Sequence, residues 1–160
     1  MAIRNILTQG DEMLTKKCRV VTAFDDRLHT LLDDMKQTLT ESGGVGLAAP
    51  QVGVLRRVVV LLDINQEPEE MIELINPEVI EMNELVPTVE GCLSVPGKYG
   101  YVDRPTWAKI RAQDRFGNWF EREGEGIVAQ CFCHETEHLD GHLFTEKVTE
   151  YVDMEQVSEE

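Results

Sequence analysis

Helical spacing of apolar residues marks one segment in the first third of the chain. Between Asp25 and Glu41, apolar residues recur every three or four positions and charged residues lie between them. That pattern is typical of a helix with one buried face. The glycine pair at 43–44 follows and indicates where the helix ends. We therefore predict an early amphipathic helix whose buried residues are Leu28, Leu31, Leu32, Met35 and Leu39.

Short apolar or alternating runs cover the middle of the chain and predict strands. The run Val58 to Leu62 predicts a buried strand, because it is short, apolar and rich in β-branched residues. We expect turns at Asn76-Pro77 and at Pro96-Gly97, and a hairpin around Asp114 to Asn118. The other predicted strands lie at 72–75, 79–82, 87–93, 101–102, 106–113 and 119–122.

A second helix is predicted near the carboxyl end. Residues Ile127 to Leu139 contain no Gly or Pro and are followed by Asp140-Gly141, which indicates a glycine stop. Antiparallel strands between one early and one late helix predict an α+β fold. We expect a single domain of residues 1–160, with the strands packed around the second helix and a short acidic tail from about residue 148.

The charge of the chain excludes two classes of partner. The 160 residues include 15 Lys and Arg and 30 Asp and Glu, so the formal net charge is 15 − 30 = −15. We expect no direct binding to nucleic acid or to an anionic membrane, because both depend on Lys and Arg. No run reaches the ~18 apolar residues that span a bilayer, and the apolar start is too short for a secretory signal. We therefore expect a cytoplasmic protein whose four cysteines are thiols or metal ligands.

The most specific chemical signal lies on the second predicted helix. Residues 134–138 form an H-E-x-x-H motif. The i, i+4 spacing brings His134 and His138 onto one face of a helix, one turn apart, so both imidazoles can bind the same metal ion. The carboxylate of Glu135 lies beside them, where it can contact a water molecule without being a ligand. The sequence therefore predicts a metal-binding helix and at least one further protein ligand.

The residues alone leave this further ligand open. Glu, Asp, His and Cys are the candidates. His29 lies on the first predicted helix, where a solvated position is the simpler expectation, and His142 follows the glycine stop. Cys131 and Cys133 precede the motif on the same helix, where packing explains them. Cys92 ends an extended segment; such a cysteine is by itself more often structural, but the need for a third ligand favours it.

Three segments taken together resemble the signature motifs of the peptide deformylase family. Gly44-Val45-Gly46-Leu47-Ala48-Ala49-Pro50-Gln51 is similar to the family's G-x-G-x-A-A-x-Q, and Glu90-Gly91-Cys92-Leu93-Ser94 is similar to its E-G-C-L-S. The H-E-x-x-H motif is the third, and Leu139-Asp140-Gly141 continues the match. The resemblance also includes residues 3–7 and Leu74-Ile75-Asn76-Pro77, so it spans nearly the whole chain.

This resemblance implies a metal site and its ligands. One divalent metal ion is expected, held by Cys92, His134 and His138, with a water molecule at the fourth position. The physiological ion implied by the family is Fe(II), with zinc, nickel or cobalt as substitutes. A thiolate and two neutral imidazoles suit such ions.

The resemblance also implies the reaction. The expected substrate is an N-formylmethionyl nascent peptide, and the expected product besides the free amino terminus is formate. Glu135 is expected to accept a proton from water and return it to the leaving amine. The side-chain amide of Gln51 and the backbone N–H of Leu93 are expected to donate to the formyl oxygen.

Substrate binding is expected along the glycine-rich segments and the second helix. The glycines allow an extended peptide to approach the backbone as an added strand, and apolar side chains are expected to enclose the methionine. The expected substrate-binding residues are Gly44, Val45, Gly46, Gly91, Val128 and Cys131.

The sequence departs from the family pattern beside these motifs. Cys133 stands where the family usually has Gln, and Glu137 where Asp is frequent. Lys98 and Tyr99 occupy a region in which the family commonly has Arg, whereas Arg104 remains as a structural partner for Glu90. These departures affect the residues around the ligands and the outer peptide contacts, not the ligands themselves.

Two other functions are weighed against deformylation. One is a metalloendopeptidase that uses the same H-E-x-x-H motif, and the other is a non-catalytic protein whose fold is braced by the metal. For a deformylase, the charge of −15 predicts repulsion from ribosomal RNA. We then expect formylated chains to be captured by diffusion or through transient contact with basic ribosomal proteins.

Overall fold

The computed structural model describes residues 2–153, which form two helices and eight strands. Helix α1 spans Asp26–Ser42 and helix α2 spans Ile127–Leu139. Short 3-10 turns lie at Glu12–Thr15, Ala49–Val52 and Phe144–Glu146. The strands β1 to β8 span, in turn, Gly46–Ala48, Val58–Asp63, Glu70–Met82, Leu85–Cys92, Val95–Pro105, Trp107–Gln113, Trp119–Glu125 and Glu150–Val152.

Helix α1 begins and ends as its sequence predicts. The side chain of Asp25 accepts a hydrogen bond from the backbone N–H of Leu28, which caps the first turn. Gly43 ends the helix in the left-handed conformation, with φ of 72°. The predicted apolar positions are buried against the first sheet.

Five strands form an antiparallel sheet in the order β1-β2-β3-β6-β7. Val58 and Val60 of β2 pack in the cluster that includes α1, whereas Val59 and Leu61 pack in the cluster that includes α2. The sheet therefore lies between the two helices. Burial on both faces explains why β2 is an unbroken apolar run rather than an alternating one.

Three strands form a second antiparallel sheet in the order β4-β5-β8. Strand β8 pairs Tyr151 with Gly100 of β5, so the beginning of the predicted acidic tail is part of a sheet. The tail residues 154–160 lie outside the described residues. The α+β class, the antiparallel sheets and the two helices are confirmed.

The turn predicted at Asn76-Pro77 is wrong, because β3 continues through this dipeptide. Asn76 has a positive φ of 51°, and the pairing of β3 with β6 shifts register between Ile75 and Glu78. The side chain of Asn76 bonds both backbone groups of Val21, at 2.8 and 2.9 Å. This distant contact stabilises a bulge, and proline is tolerated at a bulge because it has no N–H to donate.

The turn predicted at Pro96-Gly97 is also wrong. The chain reverses three residues earlier, at 93–94, where Cys92 pairs with Val95. The next pair joins Gly91 to Tyr99, so Pro96 and Gly97 lie in the irregular start of β5. The hairpin at Asp114 to Asn118 is confirmed, because the Asp114 carboxylate accepts from the backbone N–H groups of 116 and 118.

The two sheets and α2 enclose one cleft. Edge strand β1 of the first sheet and edge strand β4 of the second sheet both line it, and α2 contributes its buried face. Within residues 2–153, no helix is long and apolar enough to cross a membrane.

Candidate metal centre

Three side-chain atoms converge at the inner end of the cleft. The Sγ atom of Cys92 lies 3.3 Å from Nε2 of His138, which lies 3.2 Å from Nε2 of His134. All three atoms lie within 4.8 Å of one another. Helix α2 brings the two imidazoles together because i, i+4 residues share a face, and Cys92 reaches them from the last position of β4.

Glu90 sets the orientation of one imidazole. Nδ1 of His134 lies 2.7 Å from Oε2 of Glu90 and donates its hydrogen to that carboxylate, so the lone pair on Nε2 faces the other two atoms. Burial opposes protonation of His134, but the charge of Glu135, the contact with Cys92 and the contact with Glu90 raise its pKa well above the ordinary value. Burial and the charge of His134 lower the pKa of His138 well below that value.

The three residues fit a divalent transition metal. Two nitrogens and one sulfur around a tetrahedral ion with bonds of about 2.05 and 2.3 Å would be separated by roughly 3.3 Å and 3.5 Å. The observed distances of 3.2 Å between the two nitrogens and of 3.3 Å between sulfur and the nearer nitrogen are close to these values. The donor set of one thiolate and two imidazoles is typical of zinc and of iron-group ions, and three protein ligands leave a fourth position open.

Glu135 lies next to this centre with an unpaired oxygen. Its side chain is buried, and within the described chain its Oε1 atom has no hydrogen-bond partner. A Cβ atom on Gly46 would overlap the Glu135 carboxylate, so the glycine provides the space that the carboxylate occupies. Burial raises the pKa of Glu135 to about 7. This carboxylate can both accept and release a proton near neutral pH.

The amide of Gln51 is aimed at the same centre. Its Oε1 accepts from the backbone N–H of Ala48 at 2.9 Å, so its NH₂ group faces the cleft. That group donates to Oγ of Ser94 at 3.1 Å and lies 3.7 Å from Sγ of Cys92. Leu93 begins the turn between β4 and β5, next to Cys92. The structure thus places Gln51 and Leu93 beside the three converging atoms.

The cleft has a volume of about 590 Å³. It is lined by all the predicted substrate-binding residues except one: Gly44, Val45, Gly46, Gly91 and Cys131. Val128 lies instead in the core and packs where a side chain on Gly124 would be. Ile127, one residue before Val128, faces the cleft instead, and Gln130 also lines it, next to Cys131.

The remaining histidines and cysteines lie away from the three converging atoms. His29 is half-buried, and its Nε2 lies 2.9 Å from the carbonyl of Arg115, so it is not simply solvated. His142 is exposed and contacts Glu146. Burial raises the pKa of Cys133 to about 11 and raises that of Cys131 further. Both thiols are therefore packing groups at neutral pH.

Sequence reasoning did not identify several residues that contact this site. Ser94 fixes the amide of Gln51, and the ring of Tyr99 lies over Gly91, where a Cβ would be 2.5 Å from it. Phe144 packs against the ring of His134 at 6.0 Å between centroids. The matched motif contains Ser94 and could have indicated it, but no sequence pattern points to Phe144.

Comparisons with known proteins show which family the chain resembles. Residues 3–153 match the family model described as polypeptide deformylase. The peptide deformylase of Caldicellulosiruptor bescii is 53% identical over 159 residues, which cover 99% of this chain and 93% of that protein. That of Lachnoclostridium phytofermentans is 52% identical over 148 residues, or 92% and 90% of the two chains.

Solved structures show the same similarity. A peptide deformylase from Legionella pneumophila superposes with a TM-score of 0.88 at 43% identity, covering 92% of this chain and 87% of that one. The Ehrlichia chaffeensis enzyme, solved in complex with actinonin, gives a TM-score of 0.87 at 33% identity and covers 93% and 90%.

Proposed function

The chain belongs to the polypeptide deformylase family, and we propose that Cys92, His134 and His138 hold the metal ion at which it acts. The reaction is removal of the N-formyl group from the N-terminal methionine of a polypeptide, with release of formate. The convergence of Sγ and the two Nε2 atoms beside the unpaired Glu135 carboxylate is the observation that carries this assignment. Neither an endopeptidase nor a non-catalytic protein is favoured by the family.

A divalent ion bound there supplies Lewis acidity, which lowers the pKa of water and withdraws electrons from a carbonyl group. Glu135 accepts a proton from the attacking water and transfers it to the amine that leaves. Water thus supplies the second oxygen of formate, and its proton passes to the new amino terminus. The absence of a side chain on Gly46 leaves the space that the carboxylate occupies for this transfer.

Gln51 and Leu93 stabilise the charge that develops on the formyl oxygen. Gln51 has its carbonyl oxygen fixed by Ala48 and one N–H committed to Ser94. The second N–H is held only by the long 3.7 Å contact with Cys92 and is available for the formyl oxygen. The backbone N–H of Leu93 is the second donor. Donors fixed before the reaction cost no reorganisation while it proceeds.

The peptide binds in an extended form between the two edge strands. Strands β1 and β4 both border the cleft and both lie at the edge of their sheets, so each can pair with an added strand. Gly44, Gly46 and Gly91 line this cleft, but the side chains of other residues already fill the space in which a Cβ on each would lie, so we expect the peptide to approach along the edges of the strands and not over these glycines. Val45, Cys131 and Ile127 provide the apolar wall for the methionine side chain. We propose one catalytic domain, because both sheets contribute to this one cleft.

Fe(II) is the physiological ion that we propose, because the resemblance to deformylases implies it, and the donor set of a thiolate and two imidazoles is compatible with it. The thiolate also makes the iron-loaded enzyme sensitive to air, because Cys92 can be oxidised. The substrates are nascent chains, and we place the encounter in the cytoplasm, where ribosomes make them. The net charge of −15 supports capture by diffusion or through basic ribosomal proteins rather than through ribosomal RNA.

The reaction is tested with enzyme prepared without air and loaded with Fe(II), Zn or Ni in parallel. Formyl-Met-Ala-Ser is the substrate, and formate and internal cleavage products are measured in the same samples. We expect formate and intact Met-Ala-Ser in equal amounts, with the highest rate for Fe(II). Cleavage of an internal peptide bond without formate would contradict the proposal.

A further inference from the structure

A continuous chain of ion pairs runs from the protein surface to the metal ligand His134. The Nζ atom of the exposed Lys147 lies 2.8 Å from Glu137, whose carboxylate accepts from the guanidinium of Arg104. Arg104 also donates to Glu90, and Glu90 accepts from Nδ1 of His134. Four side chains therefore link the surface to an imidazole that faces the metal.

Arg104 is held on two sides at once. Its Nε and Nη2 atoms donate to the two oxygens of Glu90 at 2.8 and 2.7 Å. Its Nη1 and Nη2 atoms donate to the two oxygens of Glu137 at 2.7 and 3.0 Å. Both pairs are bidentate, so the plane of the guanidinium is fixed by two carboxylates. The Arg104 side chain is only 3% exposed, so its guanidinium is bound by these two carboxylates and has little contact with water.

The position of the Glu90 carboxylate depends on this clamp. Oε2 of Glu90 accepts from Nη2 of Arg104 and from Nδ1 of His134, both at 2.7 Å. A rotation of Arg104 would therefore move the oxygen that orients the imidazole. Gln130 holds only the other oxygen, at 3.1 Å. Glu137 is the group on the far side of Arg104 that opposes such a rotation.

Glu137 also affects how much negative charge Glu90 presents to His134. One guanidinium shared by two carboxylates neutralises each of them less than it would neutralise one alone. Without the charge of Glu137, Arg104 would be paired with Glu90 only. The imidazole would then donate its electrons to the metal less strongly, since a ligand's basicity follows the charge of its hydrogen-bond acceptor.

We propose that Glu137 is a positioning residue for His134, acting on the metal site through Arg104 and Glu90. This inference rests on the proposed metal site. The proposed effect of Glu137 does not come from its ion pair with Lys147 at the surface. Lys147 is half-exposed, and exposed ion pairs contribute little. The inner partner, Arg104, transmits the effect.

The test measures how fast metal leaves the zinc-loaded enzyme in excess chelator. Direct partners of metal ligands typically contribute about 10–100-fold in affinity, and we expect roughly 3–10-fold faster loss in Glu137→Gln, which acts one step further away. The control Lys147→Met removes the other partner of Glu137 and should lose metal at the wild-type rate. Metal loss from Glu137→Gln at the wild-type rate would overturn the proposal.

A double-variant cycle tests the route. If Glu137 acts through Glu90, Glu137→Gln should cause no further acceleration in a Glu90→Gln background. The same fold-increase in both backgrounds would overturn the proposal. If Glu90→Gln does not fold, the d–d absorption bands of the cobalt-loaded wild type and Glu137→Gln are compared instead. Unchanged bands would mean unchanged ligand geometry and would overturn the proposal. If Glu137→Gln does not fold, Glu137→Met, which also removes the charge at similar length, takes its place in the cycle.

Failure of the metal site itself would look different. In that case the wild-type protein would bind no stoichiometric metal, or Cys92→Ala would bind it as tightly as the wild type. Failure of the inference alone would leave a normal metal site in the wild type and in Glu137→Gln.

Discussion

The carboxylate of Glu135 occupies the space in which a side chain on Gly46 would lie. Any Cβ atom at this position of strand β1 would force the carboxylate on helix α2 to move. The backbone of Gly46 does not have a positive φ, so the requirement for glycine comes from the carboxylate and not from the conformation of the chain.

Gly46→Ala should therefore displace Glu135 without unfolding the protein. We expect kcat to fall roughly 10²-fold, because a displacement of about 1 Å in a reacting group has that effect. Bound metal should stay at the wild-type level, since the three ligands are not touched. The measurement is formate release together with metal analysis. Turnover of Gly46→Ala at the wild-type rate would contradict the overlap between a side chain at position 46 and Glu135.

Glu135→Gln should abolish proton transfer while the metal remains bound. The amide has nearly the shape of the carboxylate but cannot accept the proton of water, and general base catalysis typically contributes about 10²–10⁴-fold. Steady-state assays on formyl-Met-Ala-Ser, with metal content measured on the same samples, check this. Undiminished turnover would remove Glu135 from the proposed role.

Cys92→Ala should lose the metal. Its Sγ atom is one of the three converging donor atoms, and two imidazoles alone hold such ions weakly. Cys133→Ala is the matched control, because Cys133 is next to a ligand but packs in the core. We expect the control to keep one equivalent of metal. Equal metal content in the two variants would make the ligand assignment wrong.

The ion pair between Glu73 and Arg115 should make stability depend on pH. Burial opposes ionisation of Glu73, but hydrogen bonds from Arg115 and Lys36 lower its pKa below 4.5. The ionised carboxylate therefore stabilises the fold above about pH 4.5, and this contribution is lost as the pH falls through the lower pKa of the folded state.

Glu73→Gln should lower the free energy of unfolding by about 1 kcal/mol near pH 7, because water partly screens the pair. The deficit should shrink as the pH falls below 4.5 and through the lower pKa of the folded state, where the wild-type carboxylate also becomes neutral. Urea unfolding across this range measures it. Glu121→Gln, an exposed change on β7, is the control and should alter stability by less than about 0.5 kcal/mol. A Glu73→Gln deficit that does not change with pH would contradict the ionic origin.

Features that depend on residues close together in the chain could be predicted from the sequence. The period of α1, its end at Gly43 and the i, i+4 pair of His134 and His138 all follow from local helix geometry. The hairpin at Asp114 also follows from residues within the turn itself. The resemblance to deformylases was found from short motifs for the same reason, since each motif is a local arrangement.

Features that depend on residues far apart in the chain required the tertiary structure. Asn76 does not form a turn, because Val21, 55 positions away, binds its side chain and holds a bulge. Val128 belongs to the core and Ile127 to the cleft, which depends on how α2 is rotated against the sheet. The local pattern of a helix does not determine that rotation.

The sequence by itself determined the two helices, the family and the histidine pair on α2. Only the tertiary structure decided what surrounds these histidines. Glu90, Arg104 and Glu137 come from β4, β5 and α2, and their spacing along the chain gives no sign that one guanidinium joins them. The physical reason is that ion pairs and steric contacts act over a few ångströms in space, whatever the separation in sequence.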